Sequence, residues 1–421
     1  MTWPAPHASG PVRAVVRLPG SKSQTNRALL LASIADGPSR ISAPLMARDT
    51  QLMRAALTGL GVSITDVDGG LIVRPGPLTG ASVDTGLAGT VMRFVPPVAA
   101  LASGVSHFDG DPEARRRPMA PLLDGLRQAG VEVDDGGRGR LPFSVRGGQV
   151  PGGMVSIDAS SSSQFLSALL LAGARYDKGI EVRHVGAAPV PSAPHVAMTV
   201  AALRDRGVEV DDGQPDVWRV ASSALAARDE TVEPDLSNAA PFLAAALVTG
   251  GTVEVPSWPA RTTQAGDALR GLLADFGAEV LLDDSGLTVT GPGVVHGIDV
   301  DLNAVGELTP VIAAVAALAD APSRLRGIGH LRGHETDRLA ALAADLTGLG
   351  GAVREERDRL TITPRPLHGG MWRAFADHRT AQAGAVVGLA VPGVEIDDIS
   401  TTTKTLPDFP GMWMAMLRPA G

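Results

Sequence analysis

The chain of 421 residues contains no cysteine, which excludes disulfides, thiolate metal sites and cysteine nucleophiles at once. Lysine is almost absent too: of 37 basic residues, only Lys22, Lys178 and Lys404 are not arginine. A lysine kept against that bias marks a place where a compact ammonium that can release its proton is useful, since a guanidinium effectively never gives one up. Lys178, beside Asp177, reads as a solvated loop residue, whereas Lys22 and Lys404 fall in the two most suggestive polar loops. A single tyrosine and a formal net charge of −8 argue against nucleic acid as a partner, because phosphate backbones call for clustered positive charge. No apolar run reaches the roughly 18 residues of a membrane span. Residues 1–20 have neither the apolar core of a signal peptide nor the Arg/Ser-rich helix of a transit peptide, so a cytoplasmic protein without membrane contact is expected.

What is present is an ordinary globular composition, 44% hydrophobic and 19% charged, at a length that exceeds a single core and predicts two domains. One pattern recurs six times at intervals of 65 to 77 residues. A polar cluster opens an Ala/Leu-rich stretch that ends in glycine and a β-branched strand. The openings are PGSKSQTNRALLLASIADG from Pro19, DTGLAGTVMRF from Asp84, DASSSSQFLSALLLAGA from Asp158, DLSNAAPFLAAALVTGG from Asp235, DLNAVGELTPVIAAVAALA from Asp301 and FADHRTAQAGAVVGLAV from Phe375. Each unit adds a second, amphipathic helix before a Gly-β-branched step, predicted over 48–60 before GVSI, 117–128 before GVEV and 335–349 before GGAV. The fold class is therefore α/β, built from six repeats, with the first helix of each repeat apolar all round and suited to an inner position. Asp235, Ser237 and Asn238 are expected to act as helix caps.

Cations at a helix N-terminus oppose the macrodipole. Yet Lys22 and Arg27 open the first repeat, Arg93 lies in the first turns of the second, and His378 with Arg379 opens the sixth. That arrangement becomes favourable when an anion fills the site, held by free N–H groups and cations together, and it predicts a phosphate or carboxylate site. Other phosphate and metal motifs fail. GSKS at 20–23 lacks the Walker glycines, GPGVVHG from Gly291 has the wrong spacing for a dinucleotide turn, and HETDR from His334 carries Arg338 where a zinc motif needs histidine.

The motif LPGSKSQTNRALLLA at 18–32 resembles the signature of the bacterial 5-enolpyruvylshikimate-3-phosphate synthases. LAGTVMR, SSQF, HETDRL, ADHR and TTTKTLPDF follow in that family's order and spacing. The resemblance implies an inside-out α/β fold of two domains, each of three βαβαββ units, joined by two crossovers and closing on substrate. The domains are expected at residues 1–19 with 229–421, and at 20–228. It implies transfer of the enolpyruvyl group of phosphoenolpyruvate to the 5-hydroxyl of shikimate 3-phosphate by a monomer that uses no cofactor or metal, with glyphosate as an inhibitor.

By the same resemblance, Lys22, Ser23, Arg27, Ser162, Ser163, Gln164 and Ser192 match the positions that hold shikimate 3-phosphate, with Glu307, His330 and His334 completing that set. Lys22, Gly89, Arg117, Gln164, Arg338, Arg379 and Lys404 match the phosphoenolpyruvate positions. Glu307, Glu335 and Lys22 match the catalytic groups, since the reaction needs both a proton donor and a proton acceptor. His195 stands where many relatives carry tyrosine, Leu87 where they carry asparagine, His330 and His334 where asparagine and lysine are common, and Thr380 and Gln382 where methionine is usual. Two alternatives stay open. One is the sister transferase acting on UDP-N-acetylglucosamine, which usually employs a loop cysteine that is missing here. The other is a non-catalytic anion-binding homologue.

Overall fold

Parallel neighbours in a sheet need a crossover of a dozen residues or more, and in this protein an apolar helix supplies it repeatedly. The computed structural model describes residues 2–418. It contains two compact units, one formed by Met1–Pro19 with Glu233–Gly421 and the other by Gly20–Val232. Among the described residues there are five four-stranded sheets and one three-stranded sheet.

In the Gly20–Val232 unit, strand Ser82–Asp84 runs through helix Gly89–Ala99 to the parallel strand Gly104–Asp109, with Val83 opposite Phe108. Strand Gly153–Ile157 runs through helix Ser163–Gly173 to Ile180–His184 in the same way, with Val155 opposite Val182. An antiparallel hairpin completes each sheet. The other unit repeats the pattern around helices Thr309–Ala317 and His378–Ala390. These crossover helices are buried almost all round, as their Ala/Leu/Val content on every face requires, and within each unit they pack on one another.

Two sheets complete themselves with a strand from far along the chain. Arg13–Val15 pairs in parallel with Thr252–Pro256, while Glu230–Thr231 pairs in parallel with Ser39–Ser42. The second pairing extends the Gly20–Val232 unit past the Arg228 boundary read from sequence.

The outer helices are amphipathic and end alike. In Arg48–Gly59, Met53, Ala56 and Leu57 face the core at three- and four-residue spacing. Gly61 then adopts φ 106°, its N–H bonds to the Thr58 carbonyl, and the Val62 N–H bonds to the Leu57 carbonyl. This paired closure satisfies carbonyls that the helix end would leave orphaned, and it requires the left-handed residue that glycine adopts most easily. Gly130, Gly207, Gly277 and Gly350 repeat it with the same two bonds. In the other unit, the outer helix read from sequence at 335–349 is Arg338–Gly348, because Asp337 caps it by accepting from the Ala340 N–H at 3.1 Å. The second outer helix of the Gly20–Val232 unit likewise begins at Ala120, not at residue 117.

Aspartates at strand ends accept from the N–H two residues on, Asp84 from Gly86, Asp158 from Ser160 and Asp301 from Asn303, and Asp377 does the same from Arg379 as the cap of helix His378–Ala390. Asp235, Ser237 and Asn238 do not cap a helix as expected. The helix starts later, at Ala240, so Asp235 instead closes a turn on the Asn238 N–H at 3.0 Å and leaves Ser237 for other contacts.

Helix Arg338–Gly348 carries a buried acid facing away from these caps. Asp345 is 1% exposed and accepts from the Arg373 N–H at 3.2 Å, at the start of a connection in which Phe375 and Ala376 both have positive φ, 51° and 56°. Burial pushes its carboxyl up to about 7, with repulsion from Asp397 adding and Arg373 opposing. A folded-state value above the ordinary carboxylate one means that the protonated form stabilises the fold. That contribution is complete below the unfolded carboxylate pKa and is lost as pH rises through about 7. Asp345→Asn should therefore raise the melting temperature relative to the unaltered protein more at pH 8 than at pH 5, and a uniform offset at both pH values would count against this account.

Candidate active site

In the Gly20–Val232 unit the beginnings of three inner helices, Lys22–Ser33, Gly89–Ala99 and Ser163–Gly173, meet. The Asn26 amide donates to Thr90 Oγ1 at 2.7 Å, linking the first helix to the second, and Arg93 donates to Gln164 Oε1 at 2.7 Å, linking the second to the third. Ser21 and Ser162 cap their helices by accepting from Gln24 and Gln164 N–H groups, and Ser163 is buried in the turn that follows. Lys22, at the first helical position, lies half-buried with its Nζ 3.4 Å from a buried Asp49 carboxylate. Arg27 is 3% exposed. Its guanidinium donates to Thr199 Oγ1 at 2.8 Å, the Ser23 carbonyl at 3.0 Å and the His195 carbonyl at 2.9 Å, and it stacks over Phe94. Burial lowers its pKa to about 9. Arg117 is 6% exposed and donates to the Leu87 carbonyl at 3.4 Å, whereas Arg115 and Arg116 pair with Asp109 and Glu113 toward solvent. A Cβ on Gly89 would lie 3.0 and 3.1 Å from the two terminal nitrogens of Arg117 and 3.1 Å from Gln164 Oε1, so the absent side chain is what admits Arg117 there. Ser192 sits in the left-handed region at φ 53° at the head of helix Ala193–Arg204, from which His195 presents its carbonyl to Arg27.

The other unit gathers a charged network. Lys404 donates to Glu335 Oε1, and Arg338 donates to Glu335 Oε2 at 3.2 Å. Arg338 also grips Asp377 with two donors, at 2.7 and 3.2 Å. Burial pulls the Arg338 guanidinium down, but Asp377 and Glu335 outweigh it and hold its pKa above the ordinary value. A guanidinium only donates, so the 3.2 Å contact of Arg338 with His334 Nδ1 makes that nitrogen an acceptor and puts the proton of a neutral ring on Nε2. Arg379 donates to the Ser237 carbonyl at 2.7 Å, and Ser237 Oγ donates to Glu307 Oε1 at 3.3 Å. Burial lowers the pKa of Arg379, against the pull of Asp235 and Glu307. His330, whose ring lies 5.9 Å from that of His334, is held below the ordinary histidine pKa chiefly by burial.

Lys22, Ser23, Arg27, Gly89, Arg117, Ser162, Ser163, Gln164 and Ser192 thus fall in one unit, and Glu307, His330, His334, Glu335, Arg338, Arg379 and Lys404 in the other. Lys178 is exposed, in contrast to the other two lysines. Three participants escaped sequence reasoning as partners. Asp49 reads as an acidic first-turn residue of an outer helix, Asp377 as a cap, and Ser237 as a cap; nothing in their local sequence points to Lys22, Arg338 or Glu307. Among the described residues no group of three or more His, Asp or Glu side chains could hold a metal, and no helix is long and apolar enough to cross a membrane.

Comparison with known proteins gives this geometry its context. The structure matches the enolpyruvyl transferase NikO from Streptomyces tendae with a TM-score of 0.77 at 18% identity, over 97% of this chain and 96% of that one. It matches an EPSP synthase from Acinetobacter baumannii with a TM-score of 0.80 at 23% identity, over 99% of this chain and 97% of the other. The fold is that of the enolpyruvyl transferases. A sequence model of the family described as EPSP synthase (3-phosphoshikimate 1-carboxyvinyltransferase) matches residues 6–413. The 3-phosphoshikimate 1-carboxyvinyltransferase of Kocuria rhizophila is 55% identical over 432 aligned positions, covering 100% of this chain and 97% of that relative. The chain belongs to the EPSP synthase family, and membership favours phosphoshikimate chemistry over the UDP-N-acetylglucosamine alternative.

The Arg338–Asp377 pair yields a stability test. Asp377→Asn keeps an oxygen to cap the Arg379 N–H but removes the charge opposite a buried guanidinium. It should cost roughly 3 to 5 kcal/mol in urea unfolding. Asp337→Ala, which removes a cap and an exposed ion pair, should cost only about 1 kcal/mol. Equal losses would show that the buried pair is not the keystone of this network.

Proposed function

We propose that the protein transfers the enolpyruvyl group of phosphoenolpyruvate to the 5-hydroxyl of shikimate 3-phosphate and releases phosphate, acting as a cytoplasmic monomer without cofactor or metal, and that glyphosate inhibits it. The observation that carries this reading is a pair of buried guanidiniums, Arg27 and Arg117, whose partners are hydroxyls and carbonyls rather than carboxylates. Burying a charge without a counter-ion costs several kcal/mol, roughly, and an anionic ligand relieves it. Shikimate 3-phosphate and phosphoenolpyruvate bring two phosphates and two carboxylates.

The roles are those that the family's motifs give to these positions. Lys22, Ser23, Arg27, Ser162, Ser163, Gln164 and Ser192 hold shikimate 3-phosphate, with Glu307, His330 and His334 near its ring. Lys22, Gly89, Arg117, Gln164, Arg338, Arg379 and Lys404 hold phosphoenolpyruvate. In the reaction the methylene carbon gains a proton while the 5-hydroxyl oxygen bonds to the adjacent carbon and gives its proton to Glu307. The C–O bond to phosphate then breaks, the methyl group returns a proton, and the double bond re-forms. Glu335 and Lys22 exchange the proton at that carbon. An arriving phosphate competes with Glu335 for Lys404 and Arg338, so substrate binding itself loosens two of the bonds on the carboxylate. His330, kept neutral by burial at neutral pH, adds no cation to this set.

A coupled phosphate-release assay tests the reading. Release from phosphoenolpyruvate should require shikimate 3-phosphate and persist in chelator; support by UDP-N-acetylglucosamine in its place would overturn the substrate assignment. Gly89→Ala forces a contact tighter than ordinary packing on Arg117 and Gln164. It should raise the KM for phosphoenolpyruvate and the glyphosate inhibition constant, each by about tenfold or more. Unchanged constants would sink the steric argument.

A further inference from the structure

Two loops lead to the shikimate 3-phosphate residues assigned above. One follows strand Gly153–Ile157 and ends at Ser162; the other follows strand Ile180–His184 and ends at Ser192. The structure joins them through a single side chain. His184, 9% exposed at the end of its strand, accepts a hydrogen bond from the Ala159 N–H at Nδ1, 3.1 Å away, and its Nε2 lies 2.8 Å from the Ala188 carbonyl. An N–H aimed at Nδ1 leaves only one arrangement: the ring is neutral, the proton is on Nε2, and Nε2 donates to Ala188. Ser160 Oγ donates to the same Ala188 carbonyl at 3.0 Å, and its own N–H is held by Asp158 at 2.9 Å. No side chain fits inside the joint, since a Cβ on Gly186 would collide with Asp158 Oδ1, Ser160 Oγ and the His184 ring.

We propose that His184 is a positioning residue that clasps the loop bearing Ser162, Ser163 and Gln164 to the loop bearing Ser192, so that the two present their groups to shikimate 3-phosphate at one fixed separation. The inference rests on the substrate reading above. The imidazole touches no ligand-facing atom; it acts on two backbone segments. From Ala159 the chain reaches the cap Ser162 within three residues. From Ala188 it reaches Ser192 within four, and that residue holds a left-handed backbone at the head of the helix whose His195 carbonyl receives Arg27. A few tenths of an ångström of slack between the loops would therefore be felt most by shikimate 3-phosphate, which touches several groups on both, and by phosphoenolpyruvate only through Gln164.

Three variants separate the two bonds. In His184→Asn the amide oxygen stands where Nδ1 was and keeps the Ala159 bond; in His184→Gln the amide nitrogen stands where Nε2 was and keeps the Ala188 bond; His184→Phe loses both. Steady-state phosphate release should show the KM for shikimate 3-phosphate raised about tenfold in the Phe variant and about threefold in each amide variant. The KM for phosphoenolpyruvate and kcat should stay within about twofold. An unchanged KM for shikimate 3-phosphate, or an equal rise in both KM values, would overturn the proposal. Should the Phe variant not fold, the two amide variants carry the comparison. Hydrogen exchange in the ligand-free protein judges the clasp without turnover. The Ala159 amide should be protected in the unaltered protein and in His184→Asn, and exposed in His184→Gln; identical exchange in all three would also overturn it. An unaltered protein that ignored shikimate 3-phosphate would instead defeat the substrate reading, with the exchange measurement still deciding whether the clasp exists.

Discussion

A guanidinium buried against carbonyls and hydroxyls keeps its full charge available, and that constraint shapes the Gly20–Val232 unit. Arg27 and Arg117 are held by groups that fix their direction without neutralising them. Around them three helices begin, and Gly89 gives up its side chain so that the Arg117 guanidinium can lie against the helix start. The folding energy of the Ala/Leu-rich interior supports this arrangement, because a buried cation without a counter-ion cannot stabilise the fold by itself.

The other unit contains matched cations as well: Arg338 pairs with Asp377 and Glu335 and Lys404 with Glu335, while Arg379 is held by the Ser237 carbonyl. Matched charges hold a rigid, defined geometry, and they leave a carboxylate whose environment changes when a ligand competes for its partners. The Gly20–Val232 unit thus keeps two buried guanidiniums without a carboxylate partner, and the other unit holds Arg338 and Lys404 in a carboxylate network.

Much of this architecture could be read from the sequence because it is repeated and local. The glycine after each outer helix, Gly61, Gly130, Gly207, Gly277 and Gly350, announces a helix end whose hydrogen bonding is complete within six residues. The apolar crossover helices declare their burial by having no polar face. The aspartate that closes each strand is equally local, though at Asp235 the helix begins too late for the capping expectation to hold. What sequence could not show were pairings across long separations. Asp49 meets Lys22, and Asp377 meets Arg338 39 residues away; the same residue types in the same local settings are ordinary first-turn acids and caps. The family resemblance singled out Arg117 from its two neighbours, and burial is what sets it apart physically from Arg115 and Arg116.

The exchanged strands bear on how the chain comes together during synthesis. Gly20–Val232 is continuous and contains every strand of its own three sheets, so it can finish while later residues are still being made. Arg13–Val15 is made earlier than any of that unit, yet its parallel neighbour Thr252–Pro256 emerges more than two hundred residues afterwards. That early strand must wait unpaired, tethered to a body already folded. That completed body shortens the loop which entropy would otherwise have to close, turning the middle of the chain into a scaffold for its beginning.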